Sequence, residues 1–297
     1  MANTVAAGLQ NNIIAQSALD AFVEILAPLA SFSQSFNDQA AERGATINIA
    51  TLANTSGTVG DFAGTYSSAD TSFATTAINL NQHKFCTWHV TDTEVSESTA
   101  VELERFGYQK GGELAQAVFQ NILANVTAST YPASTVIAAD DFGVDDVATL
   151  RGEMAAIGAP ANQCNIVVGT DYFANLLQDS SLTADAFGSR EAIRDGYVPS
   201  LFGLNGIFES GAIPGNSENL TGFICHPSAL AVAMRYLEPV NAQEYISARR
   251  LVEPKTGMVL GYREFYTPST GTQTAVLEAV FGSQPAIAAD LHRITSS

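Results

Sequence analysis

Apolar residues near the start of the chain recur at helical spacing. This pattern predicts an amphipathic helix over residues 11–27, ended by a proline, with the chain extended beyond it through two phenylalanines. The residues concerned are Ile14, Ala18, Leu19, Phe22, Val23 and Leu26, then Pro28, then Phe32 and Phe36.

Two short runs, 46–49 and 77–80, alternate as β-strands do, and the spacer between them is longer than most connections in compact domains. The first part of the spacer, 52–66, has scattered aromatic residues, no basic residue and too few apolar residues for a core. A long two-stranded ribbon is only marginally stable alone in water. We therefore expect another copy of the chain to supply the surface on which the ribbon lies.

After the ribbon the pattern changes from strand to helix. Residues 85–90 alternate, which predicts a third strand with Cys86, Trp88 and Val90 on one face. Asp92 or Thr93 is expected to cap a long helix that runs to about residue 125. Glycines cost about 1 kcal/mol each inside a helix and are expected to bend or interrupt it; they are Gly107, Gly111 and Gly112.

The second half of the chain has shorter, alternating elements that predict an α/β unit followed by a ribbon. Helices are predicted over 147–157, 171–177, 190–194 and 228–235, and strands over 166–168, 204–208 and 223–225. A hairpin is predicted from 247–252 and 259–266, with a further strand over 274–281.

Composition indicates a globular chain whose surface is neutral and polar. Of 297 residues, 46% are hydrophobic and only 14% charged. Thirteen basic against thirty acidic residues give a net charge of −17, which argues against tight binding of nucleic-acid phosphates. Uncharged polar surfaces suit contact with further copies of an acidic chain.

Residues that would direct the chain to a membrane or an oxidising compartment are missing from the expected places. No basic residue precedes Arg43, and Glu24 and Pro28 interrupt the best apolar run, so we expect neither a signal peptide nor a membrane span. The three cysteines fit neither a disulfide framework nor a C-x-x-C metal pattern, and we interpret them as reduced core residues.

Candidate catalytic and metal-binding residues are scattered. The histidines lack the spacing of a metal site, and the spacer glycines lack the spacing and lysine of a phosphate loop. His226-Pro227-Ser228 could suggest a hydrolase, but no G-x-S-x-G elbow precedes it. A helix cap explains Ser228 with fewer assumptions. We therefore predict no catalytic, cofactor-binding or metal-binding residue; the other histidines are His83, His89 and His292.

Arg249 and Arg250 have two interpretations. They are either solvated strand ends or partners of an acidic residue, Asp61 or Asp70, on the ribbon of an adjacent copy. The candidates for contacts between copies are Phe22, Phe32, Phe36, Val59, Asp61, Phe62, Tyr66, Asp70, Phe73, Arg249 and Arg250.

Several sequence segments in the second half of the chain, together with the order of elements, resemble those of a known family. They are the strand and helix of 165–177 (NIVVGTDYFANLL), the loop and glycine-flanked strand of 196–210, the segment 223–234, and the closing ribbon of 260–266 (LGYREFY) with 274–282. They resemble the major capsid proteins of tailed bacteriophages, whose fold is named after phage HK97.

The resemblance implies an α+β fold of several parts. An N-terminal arm would cover 1–44 and an extended β-ribbon loop 45–91. A peripheral domain with a long spine helix would cover 92–127 and 237–285, an axial α/β domain 128–236, and a C-terminal segment 286–297. The segment 92–127 would hold the spine helix.

The resemblance also implies a structural protein and not an enzyme. Copies would form pentamers and hexamers that close into an icosahedral shell around double-stranded DNA, filled through a portal. DNA would be enclosed without sequence-specific binding, and no cofactor or membrane would be involved. We expect the chain in the virion after assembly in the host cytoplasm.

One departure concerns lysine. Some members join subunits by an isopeptide bond from a lysine on the extended loop, whereas the lysines here are Lys84, Lys110 and Lys255, and none of them lies at the tip of the ribbon. We therefore expect no covalent mesh of that type, and reinforcement by noncovalent packing or a decoration protein. The chain begins without a long charged helical segment, so a separate scaffolding protein is expected.

Two other classes remain open on sequence alone. An encapsulin-like compartment shares the fold but encloses cargo enzymes, and a soluble enzyme or ligand-binding domain would form a small oligomer. The contents and the size of the purified particle distinguish the three.

Overall fold

The computed structural model describes residues 7–36, 46–51, 74–97, 100–179, 182, 201–253 and 257–296. The helices are α1 (Ala7–Phe32), α2 (Asp92–Glu97), α3 (Ala100–Leu123), α4 (Val144–Ala156) and α5 (Thr170–Gln178). The strands are β1 (Ser33–Phe36), β2 (Thr46–Thr51), β3 (Ala74–Asn79), β4 (Gln82–Thr91), β5 (Ser134–Val136), β6 (Asn165–Val168), β7 (Gly206–Glu209), β8 (Leu220–Cys225), β9 (Leu230–Arg235), β10 (Ser247–Val252), β11 (Val259–Thr267), β12 (Thr272–Pro285) and β13 (Leu291–Thr295).

The larger sheet has six strands, in the order β1-β9-β12-β11-β10 with β4 beside β12. β12 is central, because it pairs with β11 and β9 along one edge and with β4 along the other. α1 and α3 cover one face of this sheet, since both helices carry apolar residues at helical spacing. The shared core includes Ala18, Phe22, Leu26, Trp88, Leu114, Val118, Phe119, Ile122, Leu260, Tyr262, Leu277 and Phe281.

α1 and α3 differ from the predicted helices in ways that packing explains. α1 continues through Pro28 to Phe32, and Leu29 beyond the proline is buried. α3 is continuous across its glycines. A Cβ atom on Gly111 would lie 2.2 Å from the backbone oxygen of Ala18, so this glycine lets the two helices approach closely and does not interrupt α3.

The second sheet has five strands in the order β5-β13-β8-β6-β7. β6 pairs in parallel with β7 and antiparallel with β8, and α4 and α5 pack with it around a separate core. All four residues of β6 are buried, as expected of a strand covered on both faces. Core residues of this unit include Val147, Leu150, Met154, Ile166, Val168, Tyr172, Phe173 and Leu176.

The helix predicted over 228–235 is wrong, because Leu230–Arg235 is strand β9. Leu230 and Val232 belong to the core under α1 and α3, while Ala231 and Ala233 pack against Ile78 on the opposite face of the sheet. Burial on both faces removes the alternation of polar and apolar residues by which a strand is recognised in sequence.

Two strands pair across the predicted domain limits, which stay a prediction. β9, placed in the axial domain by the limits 128–236, pairs with β12 and β1 in the six-stranded sheet. The segment 286–297 contains β13, which pairs with β8 and β5 in the five-stranded sheet. The chain therefore crosses between the sheets after α3, after β8 and again after β12.

The cap of α2 lies one residue before the predicted position. The Thr91 hydroxyl accepts from the Glu94 backbone N–H at 3.3 Å, and the Glu94 carboxylate accepts from the Thr91 backbone N–H at 2.8 Å. This is a capping box, whose sequence signature Thr-x-x-Glu is present at 91–94. Residues 98 and 99 lie between α2 and α3, outside the described residues.

Candidate functional site

The ribbon is attached to the body of the subunit at its base. β2 and β3 pair antiparallel with Ile47 opposite Ile78, and the Thr46 hydroxyl donates to the Asn79 side-chain oxygen at 2.9 Å. Ile78 is completely buried, and a Cβ atom on Gly282 of β12 would lie 2.2 Å from the Asn79 backbone oxygen. Apolar burial and close backbone contact thus hold the ribbon base on the six-stranded sheet.

Most of the predicted contact residues lie beyond this base. Residues 52–73 are outside the described part of the chain, and the predictions for this segment stay predictions. They concern Val59, Asp61, Phe62, Tyr66, Asp70 and Phe73.

The arm residues have different positions from those expected. Phe22 is wrong as a contact between copies, because its side chain is fully buried in the core of its own subunit. Phe32 ends α1 and Phe36 ends β1, and their side chains are outside the described set. The backbone of β1 pairs in parallel with β9, so this part of the arm belongs to the subunit's own sheet.

Arg249 and Arg250 lie on β10, which is an edge strand of the six-stranded sheet. The Arg249 guanidinium stacks over the Tyr262 ring at 5.5 Å, and its Nε donates to the Ser247 hydroxyl at 2.8 Å. Arg250 is exposed and opposite Gly261. The structure therefore gives Arg249 partners within its own subunit, and a pairing with Asp61 or Asp70 stays a prediction.

β4 presents an apolar side chain and a strand edge that sequence analysis did not select. Phe85 is 65% exposed, on the face opposite to buried Trp88. Among the described residues no strand pairs with the second edge of this ten-residue strand. A long edge with an exposed aromatic residue favours pairing with another chain. An aromatic residue at a solvent-facing position of an alternating strand was the available sequence signal.

A charged cluster crosses the face of the six-stranded sheet that carries Phe85. The buried Glu278 carboxylate lies 2.6 Å from Arg263 and 3.0 Å from His83. Gly261 leaves room for it, because a Cβ there would lie 2.7 Å from the Glu278 Cγ. Arg263 also donates to the Leu237 backbone oxygen at 2.7 Å. The cluster therefore fixes the segment after β9 against the sheet and pairs the buried carboxylate.

His226, Ser228 and Asp290 form a hydrogen-bonded cluster, but not a hydrolase triad. Ser228 does not cap a helix; its hydroxyl donates to the Asp290 carboxylate, and His226 Nδ1 lies 2.6 Å from the same hydroxyl. In a triad the histidine lies between serine and aspartate and accepts the serine proton. Here serine lies in the middle, and Asp290 is buried. Burial lowers the pKa of His226, and the Asp290 charge opposes that shift.

This cluster lies where two of the crossings between the sheets meet, after β8 and after β12. The His226 backbone N–H donates to the backbone oxygen of Asp290 at 2.9 Å, and the Ala286 backbone N–H donates to the backbone oxygen of Ala229 at 3.0 Å. The buried Tyr131 hydroxyl donates to the same Ala229 oxygen at 2.7 Å. The crossings 226–229 and 286–290 therefore lie side by side, and their backbone bonds extend the ladders of both sheets toward each other.

A loop of the five-stranded unit closes the end of α3. The Asn216 side-chain amide donates to the backbone oxygens of Leu123 at 3.1 Å and Val126 at 2.7 Å. Asn216 has a φ of 49°, a left-handed conformation that asparagine tolerates. These bonds fasten the loop to the turn that follows α3, where the Leu123 oxygen also accepts from the Val126 backbone N–H at 2.9 Å.

The described residues contain no group of three or more His, Cys, Asp or Glu side chains that could hold a metal ion. No helix in the described ranges is long and apolar enough to cross a membrane.

A six-stranded sheet under two long helices, a five-stranded α/β unit and a two-stranded ribbon make up a fold that solved phage capsid structures share. The capsid structure of Cyanophage P-SCSP1u is similar with a TM-score of 0.60 and 12% identity, over 90% of this chain and 86% of that chain. A structure from Mycobacterium phage Che8 is similar with a TM-score of 0.57 and 18% identity, over 88% of each chain.

A virus-like particle from Pyrococcus furiosus has the same fold, with a TM-score of 0.53 and 11% identity over 95% of this chain and 97% of that chain. No protein-family model matches the chain, and no curated protein matches it by sequence. The structural likeness confirms the predicted α+β, HK97-like fold.

Proposed function

We propose that this chain is the major capsid protein of a tailed bacteriophage, which assembles with itself into an icosahedral shell around the phage's double-stranded DNA. The observation that carries the proposal is a fold shared with a phage capsid structure over most of both chains. The pentamers and hexamers expected from the sequence resemblance belong to this proposal.

The ribbon and the free edge of β4 support self-assembly. The ribbon base is anchored by Ile78, but a two-stranded ribbon is marginal without a surface to lie on. The ten-residue edge of β4 would promote uncontrolled association if it were left uncovered. Neighbouring copies in a closed shell would cover both, and closure limits further growth.

The contact residues of this proposal come from the ribbon, the arm and β10. Phe85 joins them because the structure exposes it. The remaining candidates are Phe32, Phe36, Val59, Asp61, Phe62, Tyr66, Asp70, Phe73, Arg249 and Arg250.

The charge of the chain agrees with a container for DNA more than with a DNA-binding protein. A net charge of −17 repels phosphate, so the genome would be enclosed without sequence-specific binding. A separate scaffolding protein, a portal and a decoration protein belong to the proposal as partners. Its location would be the virion, after assembly in the host cytoplasm.

Expression of the full chain, followed by size-exclusion chromatography and electron microscopy, tests the proposal. We expect closed particles far larger than any small oligomer. A matched variant replaces residues 52–73 by a short Gly-Ser turn that joins β2 to β3. It should keep the thermal unfolding midpoint of the unassembled subunit, because the ribbon base packs through Ile78, and should lose assembly.

A compact monomer or small oligomer of the wild-type chain would overturn the proposal. Particles isolated from their natural source are then assayed for DNA and a portal. Protein cargo in place of DNA would identify an encapsulin-like compartment instead.

A further inference from the structure

We propose that a cleft between the turn after β3, the end of α3 and β12 binds an extended, uncharged stretch of main chain from a second copy of this protein. The cleft has a volume of about 330 Å³. We name it the amide cleft, because six of its lining residues carry side-chain amides: Asn79, Asn81, Gln82, Asn121, Asn125 and Gln284. The inference rests on the proposed function and adds to it a site and the chemistry of its partner.

The chemistry of the amide cleft matches a peptide backbone. Each side-chain amide both donates and accepts hydrogen bonds, as does each peptide unit. Among the described residues that line the cleft, none is charged and none is aromatic. An extended segment would gain its affinity from main-chain hydrogen bonds, as in other cases where a strand is added to a protein surface.

Other ligands fit the amide cleft less well. Small-molecule sites are lined mainly by apolar and aromatic groups, and this lining is almost entirely polar. A nucleic acid needs cations for its phosphates, and the lining offers none. A segment of polypeptide is the remaining class.

Part of the cleft is fixed in place by hydrogen bonds, and part is open to solvent. The Asn125 side-chain nitrogen donates to the Ser283 hydroxyl at 2.7 Å and to the Ile122 backbone oxygen at 3.2 Å. Asn121, one helix position from the exposed Gln120, is partly buried, and its amide has no hydrogen-bond partner within the described part of the chain. A partner segment would replace the solvent on this amide with hydrogen bonds from its main chain, without rearrangement of the rim.

Charge favours a second copy as the source of that segment. Two chains that each carry −17 repel wherever acidic surfaces meet, so contacts are favourable where the surface is neutral. The cleft begins at Asn79 and Asn81, directly beside the ribbon base. A neighbour that covers the ribbon therefore reaches the amide cleft as well.

The first test introduces a charge into the cleft. N121D removes an amide donor and adds a carboxylate, and we expect an association constant lowered about tenfold or more at each contact. The measurement is the fraction of protein in particles, by gradient sedimentation and electron microscopy, at the concentration where wild type assembles. Q120E is the matched control, because it adds the same charge at the neighbouring exposed position of α3 and should assemble as wild type does.

The second test does not depend on the stability of N121D. A benzophenone amino acid replaces Ala124, an exposed lining residue, and particles are irradiated. We expect covalent dimers in particles, with mass spectrometry identifying the second peptide as an uncharged segment of the same chain.

The outcomes separate the two proposals. Particles that form equally well with N121D and Q120E, or intact particles without an intermolecular cross-link at position 124, overturn the amide cleft alone. A cross-link to another protein or to nucleic acid overturns it too. A wild-type chain that never forms particles overturns the proposed function, and the amide cleft with it.

Discussion

At the scale of single residues, Gly111 decides how closely α1 and α3 approach. Substitution G111A would place its Cβ 2.2 Å from the backbone oxygen of Ala18, and backbone cannot move aside as a side chain can. We expect the helices to separate and the free energy of unfolding to fall by about 1–3 kcal/mol. Denaturant unfolding of the unassembled subunit measures this change.

The control for this prediction makes the same substitution in an open place. Gly152 is exposed on α4, and a Cβ there would meet nothing within 4 Å. G152A should raise stability by about 0.5–1 kcal/mol, since alanine favours the helix. Equal effects of G111A and G152A would contradict the close-contact explanation.

Buried histidines predict the direction of a pH dependence. Burial lowers the pKa of His226 and of His292, whose Nε2 lies 2.8 Å from the Thr135 hydroxyl. Below about pH 6.5 the unfolded chain binds protons on these rings that the folded chain does not. The free energy of unfolding must therefore decrease as the pH is lowered. Above that value the contribution is fully present.

The variant H292Q isolates this effect. We expect its thermal midpoint to change less than that of wild type when the pH is lowered through about 6.5, because one ring that resists protonation is gone. H89Q, on the exposed face of β4, is the control for the loss of an imidazole from the surface. Identical slopes for wild type and H292Q would refute the assignment.

At the scale of elements, the end of α3 depends on a loop distant in sequence. Asn216 and Asn219 both have positive φ, at 49° and 50°, but the Asn216 amide alone caps Leu123 and Val126. N216G should cost about 1–2 kcal/mol, because glycine keeps the backbone conformation and loses the hydrogen bonds. N219G should be close to neutral. The comparison requires only denaturant unfolding of the unassembled subunits, and a neutral N216G would disprove the capping role.

The local pattern of polar and apolar residues was sufficient to predict many helices and strands. It failed where burial on both faces or contacts between distant residues determine the structure. The alternation of 85–90 and the helical spacing within α1 predicted both elements, because one face of each meets a core. β9 was mistaken for a helix because both of its faces are covered, and the Asn216 cap joins residues ninety positions apart in the chain, Asn216 and Val126. Neither is visible in a local window of sequence.

The candidate site was predicted less completely than the fold. Phe22 was selected because it is aromatic and lies on the arm, yet the same helical spacing that predicted α1 places it on the buried face. Phe85 was passed over although it occupied the outward face of β4. A contact surface depends on which apolar residues the folded chain leaves uncovered, and that needs three-dimensional packing.

At the scale of the whole molecule, the proposed shell would hold through many weak contacts. A subunit engaged at one surface has a high effective concentration for the next, so no single contact needs to be strong. The positions of two lysines also favour noncovalent contacts, because both lie in the body of the subunit. Lys110 pairs with Glu113 at 2.8 Å on α3, and Lys84 lies within β4.

We therefore predict particles without covalent links between subunits. Denaturing electrophoresis of purified particles should give one band at the mass of the monomer, 31.2 kDa. A ladder of higher bands would refute the prediction, and mass spectrometry of those bands would locate the bond. Particles boiled with and without reducing agent exclude disulfides as the cause of any ladder.

The paired crossings at 226–229 and 286–290 have a consequence for how copies of one sequence could fit different environments. The His226–Asp290 backbone bond continues the β8–β13 ladder into the crossings, and the Ala286–Ala229 bond continues the β9–β12 ladder into them from the other sheet. A curved surface built from identical parts nevertheless requires those parts to differ slightly. We expect each subunit to keep a rigid trunk and to accommodate curvature through its peripheral segments.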